Sequence, residues 1–429
     1  MKQKGPAVTG TIDSTLLDDL VWRGLIAHST DPGALREALT SGSVRFYVGF
    51  DPTAPSLHMG NLVQLVTARR LQIAGHTPYV LVGGATGMIG DPKDSSERTL
   101  NSLDTVKDWS DRVRRQVEPF VRFEGSNAAT IVNNYDWTAS LSTIDFLRDI
   151  GKHFPVNRML QRDVVSRRLE SGISYTEFSY VLLQSMDFLS LYRDHGVTLQ
   201  HGATDQWGNI TAGVELIRRA EGAQAHAFVT PLITKPDGTK YGKTEGDAVW
   251  LDPEMMSPYA FHQWFLNVDD SQVGELLKIF TFLSHEEIEA LEAETESEPW
   301  KRNGHKRLAD EVTTFVHGVE ETESAKAAAA ALFGGGDLHS LSAGTLAAAL
   351  REAGSTSVPA LAPVVDLLVE TGLAKSRGEA RRTISEGGAY LNNVRVEDPD
   401  AQPGTSDLIG GSWLVLRKGK KQFAGVEVG

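Results

Sequence analysis

The chain has 429 residues, too many for one compact core, so two or three domains are expected. Hydrophobic residues make up 41% and charged residues 23%, an ordinary globular balance, and the lack of cysteine excludes disulfides, thiolate metal sites and a cysteine nucleophile. The formal net charge of −14 speaks against broad nucleic-acid binding, yet residues 359–429 hold nine Lys and Arg against nine Asp and Glu, so all of the excess acid precedes them.

The first dozen residues are polar or small, which predicts no signal peptide, and no run approaches the ~20 apolar residues of a membrane span. A cytoplasmic protein is expected. Residues 46–50 form a short apolar run that suits a buried strand. After the turn Asp51-Pro52-Thr53-Ala54-Pro55-Ser56, the spacing of Leu62, Leu65, Val66, Ala68 and Ile73 predicts a helix that Gly75 ends. A second strand over 79–82 runs into Gly83-Gly84-Ala85-Thr86-Gly87-Met88-Ile89-Gly90-Asp91. Strand, helix and strand joined by short connections make a parallel crossover, which places ligands beyond the strands' carboxyl ends.

Two motifs about 180 residues apart stand out: His58-Met59-Gly60-Asn61 and Lys240-Tyr241-Gly242-Lys243-Thr244. His58 and Asn61 share one face of a helix start, where backbone N–H groups and the helix dipole favour a phosphate. Lys240 and Lys243 bracket a glycine in a loop, as a mobile clamp on pyrophosphate would require. Taken singly, the first motif fits an ordinary helix start and the second a solvated loop. The chain also lacks the Gly-rich Lys-Ser/Thr phosphate loop. Four glycines over residues 83–90 permit close backbone approach, with Asp91 able to hold an ammonium group.

Residues 105–200 read as mostly helical. Within them Tyr180, Gln184 and Asp187 recur at i, i+4 and i+7 on a segment that is otherwise apolar all round, so their polar stripe faces water or a pocket. Thr204-Asp205-Gln206-Trp207-Gly208-Asn209 opens a further helix, and residues 228–233 predict a strand entering the lysine loop. Helical, acidic sequence follows residue 251, a small-residue segment over 336–357 reads as a linker, and some 70 residues close the chain. In this last part cations cluster at Lys375, Arg377, Arg381 and Arg382, and again at Arg417, Lys418, Lys420 and Lys421. RNA contact and plain solvated faces both fit such clusters.

Taken together, Tyr47-Val48-Gly49-Phe50-Asp51-Pro52-Thr53-Ala54, Leu57 to Asn61, Val82 to Gly87, Asn133-Asn134-Tyr135-Asp136-Trp137, the Tyr180–Gln184–Asp187 stripe, Asp205 to Asn209 and Lys240 to Thr244 follow one another in an order that resembles the bacterial tyrosyl-tRNA synthetase family. The resemblance covers essentially the whole chain. It implies a class I synthetase of the α/β class: a Rossmann-type parallel-sheet catalytic domain (1–246) with a helical insertion (about 115–200), a helical anticodon-side domain (247–335), a linker (336–357) and a small α+β RNA-binding module (358–429). That module resembles one in a small-subunit ribosomal protein, with its signature carried by Leu373 to Arg382, Ile384, Gly387, Tyr390 and Asn392.

The resemblance further implies the roles of single residues. Tyr47 and Asp187 would read the phenol hydroxyl of tyrosine. Tyr180, Gln184, Asp91 and Thr86 would hold its ammonium group, with Gln206 near the carboxylate. Asp51, Thr53, His58, Asn61 and Asp205 would bind ATP, while Lys240, Lys243 and Thr244 would embrace its β,γ-phosphates. Lys375, Arg377, Arg381 and Arg382 would touch RNA. ATP with Mg2+ would be a substrate, no protein-bound metal site is expected, and the partners would be L-tyrosine, ATP, tRNA(Tyr) and a second copy of the chain. Asn61 stands where many synthetases have a second histidine. The loop over 91–98 looks shorter than usual and leaves open whether Lys93 or Arg98 meets pyrophosphate. Two other readings fit part of the pattern: a related nucleotidyltransferase acting on a small molecule, and a non-catalytic RNA-binding relative.

Overall fold

The computed structural model describes residues 11–92, 100–235, 238–239, 248–334, 336–419 and 422–429. Two compact units emerge: residues 1–255 with 269–304, and residues 256–268 with 305–429.

The first unit is built on a six-stranded sheet of β1 (His28–Ser29), β2 (Arg45–Phe50), β3 (Thr77–Val82), β4 (Thr130–Asn133), β5 (Leu199–Ala203) and β6 (His226–Thr230), in the order β1-β6-β5-β2-β3-β4. β2 through β6 run parallel, and only the short β1 lies antiparallel, against β6. From β2 the chain moves outward through β3 to β4, then returns to the other side of β2 as β5 and β6. The boundary between β2 and β5 is therefore the topological switch point, where an open parallel sheet leaves a crevice beyond its carboxyl ends.

Helix α1 (Met59–Ile73) makes the crossover from β2 to β3. It is buried along most of its length, including Leu62, Leu65, Val66, Ala68 and Leu71, and it ends at Gly75, whose φ of +95° suits glycine. Helix α2 (Tyr175–His195) starts at Ser174, whose hydroxyl accepts from the Glu177 N–H, and stops at Gly196 in the left-handed region. Helix α3 (Trp207–Glu221) links β5 to β6 and packs along α2. Between them Val181, Met186, Phe188, Leu191, Leu216 and Ile217 form much of the core.

The second unit carries a sheet of β7 (Ser355–Val358), β8 (Ala389–Leu391), β9 (Val394–Arg395), β10 (Trp413–Lys418) and β11 (Gln422–Val428), in the order β7-β11-β10-β8-β9. Helix α4 (Ala343–Ala353) buries Leu346, Ala349 and Leu350 in one cluster with Trp413 and Val415. Helices α5 (Val364–Glu370) and α6 (Arg377–Ser385) close a second cluster with Leu414, Leu416 and Val426.

Four sequence expectations change. The stretch expected as a helical insertion (about 115–200) contributes β4, an edge strand paired in parallel with β3, so sheet and insertion interleave. The expected linker over 336–357 is folded: alanine is the best helix former, and Leu346, Ala349 and Leu350 give α4 a buried stripe within its small-residue sequence. The expected helical domain over 247–335 is divided between the two units, because Pro258–Leu266 packs with later helices while Val273–Phe280 packs on α1. Finally, β6 begins at His226, two residues before the predicted strand, and ends at Thr230.

Candidate active site

A cavity of about 320 Å³ opens at the switch point of the first unit. It is lined by Tyr47, Asp51, Thr53, His58, Asn61, Thr86, Asp91, Tyr180, Gln184, Asp187, Asp205 and Gln206, which are all of the expected tyrosine- and ATP-site residues within the described segments. Lys240, Lys243 and Thr244 lie outside the described residues, as do Lys93, Arg98, Lys420 and Lys421. Both flanks of the lysine segment are described. Leu232 lines the cavity, and on the other side Val249 accepts from the Met59 N–H while Leu251 donates its N–H to the Leu57 carbonyl.

The polar stripe of α2 faces the cavity. Asp187 is buried and accepts from Asn134 Nδ2 at 3.0 Å and from Trp137 Nε1 at 2.9 Å. Burial pushes its carboxyl up to about 7, with the two donors working in the opposite direction. Tyr47 is also buried, and its hydroxyl faces Gln200 without meeting a partner at good hydrogen-bond geometry. Burial, then the Asp187 carboxylate, raise the Tyr47 phenol well above its usual range, so it keeps its proton and acts as a donor.

A second knot forms at Asp51. Its Oδ1 accepts from the Thr86 hydroxyl at 2.6 Å and its Oδ2 from the Tyr180 hydroxyl at 2.6 Å, while Asn134 Nδ2 donates to Thr86 Oγ1 at 2.9 Å. Tyr180 has thus spent its proton, and its oxygen remains as an acceptor. Gln184 Oε1 is buried without a partner. Asp91 accepts from Gln206 Nε2 at 2.8 Å and from Asn209 Nδ2 at 3.1 Å. Tyr180, Gln184 and Asp91 together offer the acceptors an ammonium group needs. The structure regroups two residues relative to expectation: Asp51 joins Thr86 and Tyr180, and Gln206 joins Asp91.

His58 caps α1. Its Nδ1 accepts from the Gly60 N–H at 3.0 Å, and Asn61 Oδ1 accepts from the His58 N–H at 3.0 Å. Burial lowers the His58 pKa, so the ring is neutral near pH 7 with its proton on Nε2. Asn61, having committed its oxygen, has Nδ2 left as donor. The backbone N–H groups at this helix start, expected to add to the phosphate site of His58 and Asn61, are occupied. Met59 N–H donates to Val249, Gly60 N–H to the His58 ring, and Asn61 N–H to the His58 carbonyl. The side chains of His58 and Asn61, with the helix dipole, are what α1 presents to an anion.

The glycines after β3 also act differently from expectation. A Cβ on Gly83 would lie 1.9 Å from Asp51 Oδ1, one on Gly84 2.4 Å from Asn133 Oδ1, and one on Gly87 2.8 Å from Pro52. They make room for the protein's own polar knot. Asn134, Trp137 and Asn209 lie within the motifs and hold the carboxylates of the cavity. Each acts through a carboxylate distant in sequence, and periodicity carries no signal for such pairs. Among the described residues no group of three or more His, Asp, Glu or Cys side chains is placed to hold a metal ion.

In the second unit Arg377 makes two bonds to Asp366, and Arg381 pairs with Asp400 at 2.6 Å. The Lys375 and Arg382 side chains are exposed. Lys418 pairs with Glu379 at 2.7 Å, and the Arg417 guanidinium lies 4.1 Å from the Tyr390 ring centre.

Comparison with known proteins agrees with this architecture. A family model described as "tRNA synthetases class I (W and Y)" matches residues 40–334, and a second, the "Tyrosine--tRNA ligase SYY-like C-terminal domain", matches residues 346–426. The chain is 61% identical over 417 residues to a tyrosine–tRNA ligase of Streptomyces griseus, covering 96% of this chain and 99% of that protein. A tyrosine–tRNA ligase of Corynebacterium glutamicum is 54% identical over 417 residues, with 96% and 99% covered. Among solved structures, a C-terminally truncated mitochondrial tyrosyl-tRNA synthetase of Coccidioides posadasii superposes with a TM-score of 0.65 at 30% identity, over 72% of this chain and 90% of that one. With the switch-point cavity, the polar stripe and both family models in register along its length, the chain belongs to the tyrosine–tRNA ligases of the class I tRNA synthetases.

Proposed function

We propose that the cavity at the switch point is where L-tyrosine is joined to AMP before transfer to the terminal ribose of tRNA(Tyr). The observation that carries this reading is the facing pair of Tyr47 and Asp187. One is a buried proton donor without a good partner, the other a carboxyl fixed by Asn134 and Trp137. A phenol hydroxyl between them accepts from Tyr47 and donates to Asp187. Phenylalanine in its place would leave the buried Tyr47 hydroxyl unmatched, at about 1–3 kcal/mol, and would withhold a further donor from the Asp187 carboxylate.

The ammonium group then meets Tyr180, Gln184 and Asp91. The substrate carboxylate attacks the α-phosphate in line and pyrophosphate leaves. A carboxylate is already a nucleophile, so this step needs no general base. The side chains contribute position and hydrogen bonds to charge that grows in the transition state. Neutral His58, through Nε2–H, and Asn61, through Nδ2, donate to the triphosphate. Thr53 and Asp205 line the nucleotide side of the same cavity. Lys240, Lys243 and Thr244 complete the grip on the β,γ-phosphates, and Mg2+ enters as part of the nucleotide substrate.

Tyrosine-dependent exchange of pyrophosphate into ATP, measured across all twenty amino acids, tests the reading. Exchange with tyrosine alone is expected. Exchange with another amino acid, or none with tyrosine, would overturn it. A nucleotidyltransferase or a non-catalytic relative is not favoured, because the full chain matches tyrosine–tRNA ligases at both ends.

The working assembly in this proposal is a homodimer in the cytoplasm. Of the large hydrophobic side chains exposed among the described residues, Tyr135, Ile144, Leu147, Val156, Leu160, Leu169 and Tyr175 fall within residues 135–175, a concentration that a second copy would cover. No helix among the described residues is long and apolar enough to cross a membrane.

A further inference from the structure

Gly208 and Asn209 close the motif that opens α3, and neither has a place in the reaction as described above. Asn209 is buried, and its Nδ2 donates to Asp91 Oδ1 at 3.1 Å and to Gln206 Oε1 at 3.1 Å. Its Oδ1 accepts from Arg162 Nη2. Arg162 sits between the short helices Val156–Leu160 and Asp163–Arg168 of the insertion, far from α3 in sequence. Gly208 supplies the space for it, since a Cβ there would lie 3.3 Å from Arg162 Nη2.

We infer that Arg162 is a positioning residue for tyrosine binding, acting through Asn209 on Asp91. The reason lies in the donor inventory. A guanidinium has donors and no acceptor, so whichever end of the Asn209 amide meets Arg162 must be the oxygen. That choice turns the amide nitrogen toward Asp91 and Gln206. Turned the other way, the amide oxygen would face a carboxylate, and Asp91 would lose the donor that holds its Oδ1, the Gln206 amide remaining on Oδ2. The amide stands between the two charges, so Arg162 supports an ionised Asp91 without competing for the ammonium group. The Asp91 charge in turn offsets part of the burial that lowers the Arg162 pKa.

This inference rests on the reading that Asp91 holds the substrate ammonium group, and the test separates the two. Binding is measured on the full chain, without ATP or tRNA, for L-tyrosine and for 3-(4-hydroxyphenyl)propionate. The second compound keeps the phenol and the carboxylate but lacks the ammonium group. Wild-type protein is expected to prefer tyrosine. Equal affinity for the two would overturn the ammonium reading itself, and the inference with it.

Given that preference, Arg162→Ala is expected to weaken tyrosine on the order of tenfold while leaving the analogue within about twofold, the loss of one oriented charge-assisted contact. Asn209→Ala should do the same, and Arg162→Ala added to it should cost nothing further, since the two act in series. Arg162→Lys, which keeps one donor, should recover part of the loss. Equal weakening of both compounds in Arg162→Ala would assign it a general structural role and overturn the inference. So would an unchanged preference, or full additivity with Asn209→Ala. If Arg162→Ala does not fold, Asn209→Ala and Arg162→Lys carry the same comparison.

Discussion

At the scale of single residues, the site is governed by which end of each polar group is already occupied. Asp187 is the clearest case. Its carboxyl, pushed up to about 7, is protonated more readily in the folded chain than in the unfolded one. The stability it contributes is therefore full below about pH 4, its unfolded value, and is lost as pH rises through about 7. Tyrosine binding runs the other way, because the phenol hydroxyl donates best to the ionised carboxylate. Affinity for tyrosine is expected to rise on the order of tenfold between about pH 6 and about pH 8, following the ionised fraction. In Asp187→Asn the profile should be flat and the binding weak. Titration calorimetry across that range checks it, and a flat wild-type profile would remove Asp187 from phenol recognition. The polar stripe that holds Asp187 was legible in the sequence as a break in an apolar helix. Asn134 and Trp137, which aim it, were not, because they are about 50 residues away and meet it only through β4 and the turn that follows.

At the scale of elements, glycines and caps shape the cavity. Asp51 directly follows strand β2, and its carboxylate can reach Thr86 only because Gly83 has no side chain. Gly83→Ala is expected to break this knot, destabilise the fold by about 1–3 kcal/mol as overpacking does, and slow adenylate formation. Gly49→Ala, on the same strand β2, meets nothing closer than Leu81 at 3.6 Å and should leave thermal stability unchanged. Melting curves of the two variants decide the matter; equal shifts would mean that the Gly83 contact does not constrain the fold. The glycine run was visible in the sequence, and its purpose was not. Its counterparts Asp51, Asn133 and Pro52 come from other segments, and only packing brings them to those backbones. The cap of α1 has the same character. His58 and Asn61 were legible as a pair, but their mutual bonds, which consume the backbone donors, required the folded helix start.

At the scale of the whole molecule, an acidic first part is joined to a neutral tail in which cations are concentrated. The second unit divides those cations into two kinds. Arg377 and Arg381 are held by Asp366 and Asp400, while Lys375 and Arg382 extend exposed side chains. We propose that the latter two meet tRNA phosphates. Arg382→Ala should lower the slope of log affinity against log salt for tRNA by about 0.7–0.9, one phosphate contact, whereas Arg377→Ala should barely change it. Sedimentation of protein with labelled tRNA at rising salt measures this, and also tells whether the free protein has twice the mass of one chain. Equal slopes in the two variants would contradict the division, and a free protein with the mass of one chain would contradict the homodimer.

By itself, the sequence determined the parallel crossover, the helix carrying the polar stripe and, through the resemblance its motifs carry, twelve of the residues that line the cavity; Gln64, Gln200 and His201, which also line it, gave no such signal. Apolar periodicity and short motifs are local properties, so they survive without knowledge of the fold. The tertiary structure alone decided that β4 lies beside β3, that a small-residue segment folds as α4 and β7, and that Asp51, Asp91 and Asp187 are each fixed by donors from distant segments. Those features depend on which surfaces are buried together, and burial is what sets both the space a glycine must leave and the charge a carboxylate can keep.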